Sequence, residues 1–447
     1  MVPPAPPLNK ISLLANKRKD LLTKPYAQMA RSEQSTLLAQ LKEEYEKVKA
    51  MGLKLDMSRG KPSKAQLDMV SDILTVLNTA EDCMDGKLDV RNYGELMGTH
   101  ACRAYFADVL GVKEENVFDG VCASLQLMYD LLSKACINGL LHSPRAWAKE
   151  DQVRFLCPAP GYDRHFKVCE SLGITMEYIP MMEEGPDMDA VEKAIADPMV
   201  KGMWCVPKYS NPDGIIYSQK VIDRLVKMQP AAPDFVVMWD NAYCVHEFEG
   251  EYVPFPNILD IAREAGSEDR FFEFASTSKI TFPGSGVSCM VCSVANMTYL
   301  KNLLGAEIIS YNKVNQLRHA RYLKNKAHTL ELMKKHAAIL GPKFRLVVET
   351  LRREVGPLEI CRWTEPKGGY FVSFYGMDGT AKRIFNLMKE AGVVMTSAGA
   401  AFPYGQDPHD NHIRIAPSLP PLEELEQAIS VFCLCVKIAS LEKLLEA

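Results

Sequence analysis

The chain has 447 residues, with 52 Lys and Arg against 56 Asp and Glu, for a formal net charge of -4. At 47% hydrophobic and 24% charged it has the composition of a soluble globular protein of two or three domains, able to bury a core without metal or disulfide support. The near balance of charge argues against nucleic acid as the main partner, and no apolar run reaches the ~18 residues of a membrane span.

The opening Met1-Val2-Pro3-Pro4-Ala5-Pro6-Pro7 lacks the charged-then-apolar order of a secretion signal and reads as part of an extended arm over 1–30. The 13 cysteines, from Cys83 to Cys435, sit mostly in apolar runs. That is the pattern of reduced, buried thiols in a cytoplasmic protein. Cys289 and Cys292 have CxxC spacing but no second pair, so they read as core residues on a strand, and no metal site is expected.

From Ser35 a helical period runs through Leu37, Leu38, Leu41, Tyr45 and Val48 and stops at Gly52. An irregular turn follows, Asp56-Met57-Ser58-Arg59-Gly60-Lys61-Pro62. The middle of the chain alternates helical stretches with short apolar strands over 153–157, 174–179, 203–206, 235–239, 271–275 and 287–291. Helical crossovers between strands imply a mainly parallel sheet. After Tyr311 the texture changes to a long basic helix over 315–335, strands near Tyr370 and Ile413, and a final amphipathic helix using Leu422, Leu425, Ile429, Phe432 and Val436. The expected class is α/β: a large domain over 76–319 with a mainly parallel sheet flanked by helices, and a smaller α+β domain from both chain ends, 31–75 and 320–447.

Ligands of open α/β sheets bind beyond the carboxyl ends of the strands. Three of the predicted strands run into polar groups there: Pro207-Lys208-Tyr209-Ser210-Asn211-Pro212-Asp213-Gly214, Asp240-Asn241-Ala242-Tyr243, and Ser276-Thr277-Ser278-Lys279. Each segment alone has a plain reading as surface charge, helix cap or turn. Lys279 in apolar surroundings has the makings of a nucleophile toward a carbonyl. Arg414, in His412-Ile413-Arg414-Ile415, alone reads as a strand residue facing water. Pyridoxal phosphate chemistry needs a lysine for the aldehyde, an acid against the ring nitrogen, hydrogen bonds to the ring hydroxyl and a phosphate site. Lys279, Asp240, Asn211 with Tyr243, and the serines before Lys279 meet those needs together.

With these motifs in this order the chain resembles the fold-type-I pyridoxal-phosphate aminotransferases. More narrowly it is similar to the divergent branch of aspartate aminotransferases marked by an Arg-Gly-Lys-Pro turn, here Arg59 to Pro62, and a Ser-Lys-Ile-Thr-Phe segment, here Ser278 to Phe282. The resemblance implies pyridoxal 5'-phosphate as cofactor and transamination from L-aspartate to 2-oxoglutarate. Lys279 would take the cofactor aldehyde and carry the substrate proton; Asp240 would pair with the ring nitrogen; Asn211 and Tyr243 would bond the ring hydroxyl. Tyr162 would stack on the ring, Gly60 would lie beside the substrate carboxylate, and Arg414 would fork onto it. Ala123 and Ser124, opening a helix, and Ser276 would hold the phosphate. Tyr93 would reach across from a second subunit, making the active unit a homodimer.

One departure stands out. The segment Pro283-Gly284-Ser285-Gly286-Val287-Ser288 lacks the arginine with which the family balances the phosphate, so amides and hydroxyls suffice or a distant Lys or Arg substitutes. The cation for a distal substrate carboxylate is open among Arg59, Lys208, Lys313 and Arg318. The turn at Asn211-Pro212 suggests a cis peptide bond. The other readings weighed are another pyridoxal-phosphate aminotransferase or lyase, and a transcription regulator borrowing the fold. The regulator would need a DNA-binding domain ahead of Asp56, where only one clear helix stands. Gly284-Ser285-Gly286 lacks the third glycine of a dinucleotide loop, and Gly60-Lys61-Pro62 lacks the context of a P-loop.

Overall fold

The computed structural model describes residues 24–446. The proline-rich head lies outside them. The central sheet has eight strands, β1 Val117–Asp119, β2 Arg154–Ala159, β3 Thr175–Met182, β4 Gly185–Pro186, β5 Val200–Cys205, β6 Val236–Asp240, β7 Phe271–Ser276 and β8 Ser288–Val291. They lie in the order β1-β8-β7-β6-β5-β2-β3-β4. The inner pairs β3/β2, β2/β5, β5/β6 and β6/β7 are parallel. The outer pairs β7/β8, β8/β1 and β3/β4 are antiparallel. Every residue of β5 and β6 is buried, which is why these strands are continuous apolar runs rather than alternating ones. Cys289 lies on β8 and Cys292 just beyond it, both buried and free, as core residues.

The chain leaves β2 toward β3, then returns on the other side of β2 as β5. The connections at the carboxyl ends of β2 and β5 therefore diverge and open a crevice, the place where such sheets bind ligands.

A second sheet, antiparallel, contains β9 Arg362–Trp363, β10 Val372–Tyr375 and β11 His412–Ile415. The helices that frame the molecule's site and its second core are α1 Arg31–Ala50, α2 Ser124–Ile137, α3 Asp163–Ser171, α4 Lys313–Leu323, α5 Lys326–Glu354 and α6 Leu422–Glu446. Leu37, Leu41 and Tyr45 of α1 share one core with Phe344 of α5, Val372 and Phe374 of β10, and Ile429 and Phe432 of α6. Each such side chain contributes about 1.5–3 kcal/mol of burial. Leu55–Asp56 pairs in parallel with Val393–Val394, and this brings the following turn, 58–61, to the crevice.

Two helical expectations are corrected. The stretch over 315–335 is not one helix: Lys324 takes φ +61°, and the Asn325 side chain accepts from His328 N to start α5. A run of basic residues hides that break because charge carries no helical period. The last helix is not amphipathic along its length either. Every residue from Val431 to Leu441 is buried, including Lys437, which is 2.9 Å from Glu354, whereas Leu422 is 43% exposed.

Candidate active site

β6 ends at Asp240, which is 3% exposed. Its Oδ2 lies 3.0 Å from Nε2 of His165, the third residue of α3. The His165 ring is itself fixed, stacked on Trp204 of β5 at 4.2 Å and 7° and met edge-on by Tyr162 at 4.9 Å. The other oxygen, Asp240 Oδ1, is buried and receives no hydrogen bond from the described residues. A buried acceptor left unmade costs about 1–3 kcal/mol, so this oxygen marks where a ligand N–H fits.

β7 delivers Ser276, and the 277–287 loop after it is closed by Thr277 N donating to Val287 O at 2.8 Å and Val287 N donating to Thr277 Oγ1 at 3.0 Å. The loop presents Lys279 to the cleft. Its Nζ sits 4.7 Å from the centre of the Tyr243 ring and 5.6 Å from that of Tyr370. Desolvation in this aromatic setting lowers the lysine pKa, with the nearby Asp240 charge opposing it. The consequence is a larger share of free amine, the nucleophilic form. Burial raises the Tyr243 hydroxyl well above its usual range and pushes that of Tyr162 to about 12, so both remain protonated donors.

Arg414 comes from the second sheet. Its Nη1 donates to Asp163 Oδ1 at 2.9 Å and to Asn211 Oδ1 at 3.2 Å, its Nη2 to Thr396 Oγ1 at 3.3 Å, and its guanidinium lies 4.8 Å from the Phe371 ring centre. Its Nε is buried without a partner. Gly60 packs on the same phenyl ring: a Cβ there would stand 2.6 Å from Phe371 Cζ. The residue must be small for Phe371 and Arg414 to keep their places.

At the other end of the cleft Ala123 precedes the first residue of α2, Ser124; Gln126 N donates to Ala123 O at 3.1 Å, and the amides of Ser124 and Leu125 at the start of that 14-residue helix have no intrahelical partner. Ser276 Oγ donates to Ser278 Oγ at 3.2 Å, and Ser278 Oγ to Cys122 O at 3.4 Å. A basic residue does reach the 284–286 turn, from α4: Arg318 Nη2 donates to Ser285 Oγ at 2.8 Å.

Every site residue named from the sequence except Tyr93 lines one cleft of about 630 Å³. Tyr93 lies elsewhere on the chain and is 79% exposed. The Asn211-Pro212 bond is cis, and so is Ala159-Pro160, which the sequence did not suggest. Of the four distal-cation candidates, Arg59 alone lines the cleft. Lys208 is fully buried against Glu247 Oε1 at 2.6 Å and two backbone carbonyls. Lys313 donates to the carbonyls of Asn92 and Gly94, at 2.6 and 2.7 Å, on either side of Tyr93. Arg318 is engaged with Ser285 and Asn315. The sequence reading missed Lys61 and Arg164, which also line the cleft, and His165, Asp163 and Thr396, which hold Asp240 and Arg414.

Residues 29–447 match the family model described as aspartate amino-transferase. A Mycolicibacterium smegmatis protein named only as an aminotransferase is 47% identical over 404 residues, covering 90% of this chain and 94% of that protein. The aspartate aminotransferase of Corynebacterium glutamicum is 44% identical over 402 residues, 90% of this chain and 93% of its own. A crystal structure of an aspartate transaminase from the same organism superposes with a TM-score of 0.91 at 42% identity, covering 94% of this chain and 99% of that one. This chain thus belongs to the aspartate amino-transferase family and is an aminotransferase of the pyridoxal-phosphate-dependent, fold-type-I class.

Proposed function

We propose that the protein holds pyridoxal 5'-phosphate in this cleft and transfers the amino group of L-aspartate to 2-oxoglutarate, yielding oxaloacetate and L-glutamate. The observation that carries the cofactor part is Asp240: a buried carboxylate braced by His165 on one oxygen and open on the other fits a protonated ring nitrogen. When bound, the cofactor supplies an electron sink that makes the substrate Cα–H acidic. Lys279 would hold its aldehyde, and its desolvated amine would carry the substrate Cα proton. Asn211 and Tyr243 bond the ring hydroxyl, Tyr162 covers a ring face, and Ala123, Ser124 and Ser276 hold the phosphate. Arg318 beside Ser285 supports the distant-arginine alternative for balancing that charge. Arg414 reads the α-carboxylate as a planar fork, with Gly60 beside it.

Aspartate is the donor we infer. The aspartate aminotransferase and aspartate transaminase of Corynebacterium glutamicum support it, and Arg59 lines the cleft with no side-chain partner among the described contacts, suited to a distal carboxylate. The functional unit is a homodimer in which Tyr93, exposed on one chain, completes the partner's phosphate site. The division into a small domain, 31–75 with 320–447, and a large one, 76–319, draws on the core that both chain ends share, while Val70, Ala320, Leu323, Leu332 and Met333 pack in the core of the large sheet. Thirteen unbridged cysteines favour a cytoplasmic location. No helix among the described residues is long and apolar enough to cross a membrane.

Borohydride reduction of the loaded enzyme followed by peptide mapping tests the cofactor reading. The label is expected on the peptide containing Lys279 and absent from Lys279→Ala; a label on any other lysine overturns it.

A further inference from the structure

We propose that Asp213 is a positioning residue for the substrate carboxylate, acting through a hydrogen bond from Tyr375 that ties the Asn211 turn to the strand pair carrying Arg414. The inference rests on reading Arg414 and Asn211 as the carboxylate contacts.

Asp213 follows Asn211 by two residues, in a turn closed on itself by Gly214 N donating to Ser210 O at 2.7 Å and Ser210 N donating to Ile215 O at 2.9 Å. Movement of Asp213 is therefore passed to Asn211. The Asp213 side chain does not enter the cleft. It turns away, 5% exposed, and its Oδ1 accepts from Tyr375 Oη at 2.8 Å. Tyr375 is on β10, and the Arg362 guanidinium lies 3.7 Å from its ring centre, so the ring is held from the far side. Two residues back on the same face of β10 is Ser373, whose register partner on β11 is Arg414. Arg414 in turn donates to Asn211. The contacts make a closed circuit: Asn211, its turn, Asp213, Tyr375, the β10–β11 pair, Arg414, and back to Asn211.

The circuit matters because the contact it closes is weak. The Arg414–Asn211 bond is 3.2 Å, and Arg414 Nε is unpartnered, so those two groups do not fix each other strongly. Arg414 is held besides by Asp163 and Thr396, so its separation from Asn211 depends on how the Asn211 turn is pinned to the sheet. The turn is also pressed against that sheet's side of the molecule, where a Cβ on Gly214 would stand 2.5 Å from Pro366 Cβ. A buried carboxyl is a costly anchor unless it is hydrogen-bonded, and burial does push Asp213 upward, with hydrogen bonds from Ser373 and Tyr375 and the Arg362 charge opposing. Asp213 and Tyr375 thus hold Asn211 and Arg414 at the spacing a carboxylate must bridge.

Three variants test this by steady-state kinetics and thermal unfolding of the loaded enzyme. Tyr375→Phe removes only the hydroxyl, Asp213→Ala removes the acceptor, and Asp213→Asn keeps an oxygen to receive Tyr375. Tyr375→Phe and Asp213→Ala are expected to raise KM for amino donor and keto acid alike by about 5- to 10-fold, with kcat within twofold, and Asp213→Asn to recover most of the loss. A fall in Tm with both KM values unchanged, or a loss in kcat with KM unchanged, overturns the proposal. If Asp213→Ala does not fold, the other two variants decide. Arg414→Lys is measured alongside. If it raises both KM values while Tyr375→Phe raises neither, the proposal fails and the carboxylate reading stands. If Arg414→Lys raises neither, that reading fails and takes the proposal with it.

Discussion

Asp240 shows how much of the chemistry rests on single groups held by their neighbours. Its carboxylate is braced by a His165 ring that is stacked on Trp204 and edged by Tyr162, so the free oxygen keeps one direction. Leaving one side of a buried ion pair without its partner costs about 3–5 kcal/mol. At ~1.4 kcal/mol per tenfold, Asp240→Ala is expected to slow amino transfer by roughly 10²–10³-fold or more. Turnover within tenfold of the parent enzyme would show that Asp240 does not control the ring nitrogen. Asp240 and Lys279 were legible in the sequence because each follows an apolar strand and so has a predictable place on the rim. His165 was not. It lies on a helix, its partner is 75 residues away, and nothing in Tyr162-Asp163-Arg164-His165 distinguishes it from a core histidine.

At the scale of elements, the strands behind the site carry a second buried acid. Glu273 of β7 is 3% exposed and accepts from Asn241 Nδ2, the residue after Asp240, at 2.8 Å. Burial pushes its carboxyl up to about 7, with the Asn241 hydrogen bond opposing. A folded-state pKa above the unfolded one means the fold favours the protonated form. That stability is fully present below the unfolded value of about 4.5 and is lost as pH rises through 7. Between pH 5 and pH 8 the parent protein should lose on the order of 1–3 kcal/mol relative to Glu273→Gln, read as a steeper fall of Tm with pH. Parallel Tm profiles for the two proteins would show that Glu273 titrates alike in both states. The strands themselves were readable because parallel strands buried on both faces are apolar throughout. The helices after Tyr311 were less so. The basic run conceals the break at Lys324, and α6 is wrapped by α1 and α5, so neither shows the one-sided pattern of a surface helix.

For the whole molecule, the residues of the cleft converge from both chain ends, from the turn at Gly60 and from the strand of Arg414 as well as from the central sheet. That convergence was readable only through the order of the motifs, since no local period places residue 60 beside residue 414. Tyr93 is the assigned residue that one chain does not bring to its own cleft, and Lys313 grips the carbonyls on both sides of it. The homodimer reading predicts complementation. Tyr93→Ala and Lys279→Ala subunits, each poorly active or inactive alone, should regain about a quarter of parental activity when mixed at random, because half the dimers then have one intact site. No recovery in dimers that have exchanged subunits would assign Tyr93 to its own chain. The central claim is tested most directly by following the fate of the amino group. Purified, loaded enzyme given L-aspartate and 2-oxoglutarate should form oxaloacetate and L-glutamate one for one, with kcat/KM at least ~10²-fold above that for alanine or tyrosine, a margin that Arg59→Ala should erase. Consumption of aspartate without stoichiometric glutamate, or alanine or tyrosine as the better donor, would contradict it.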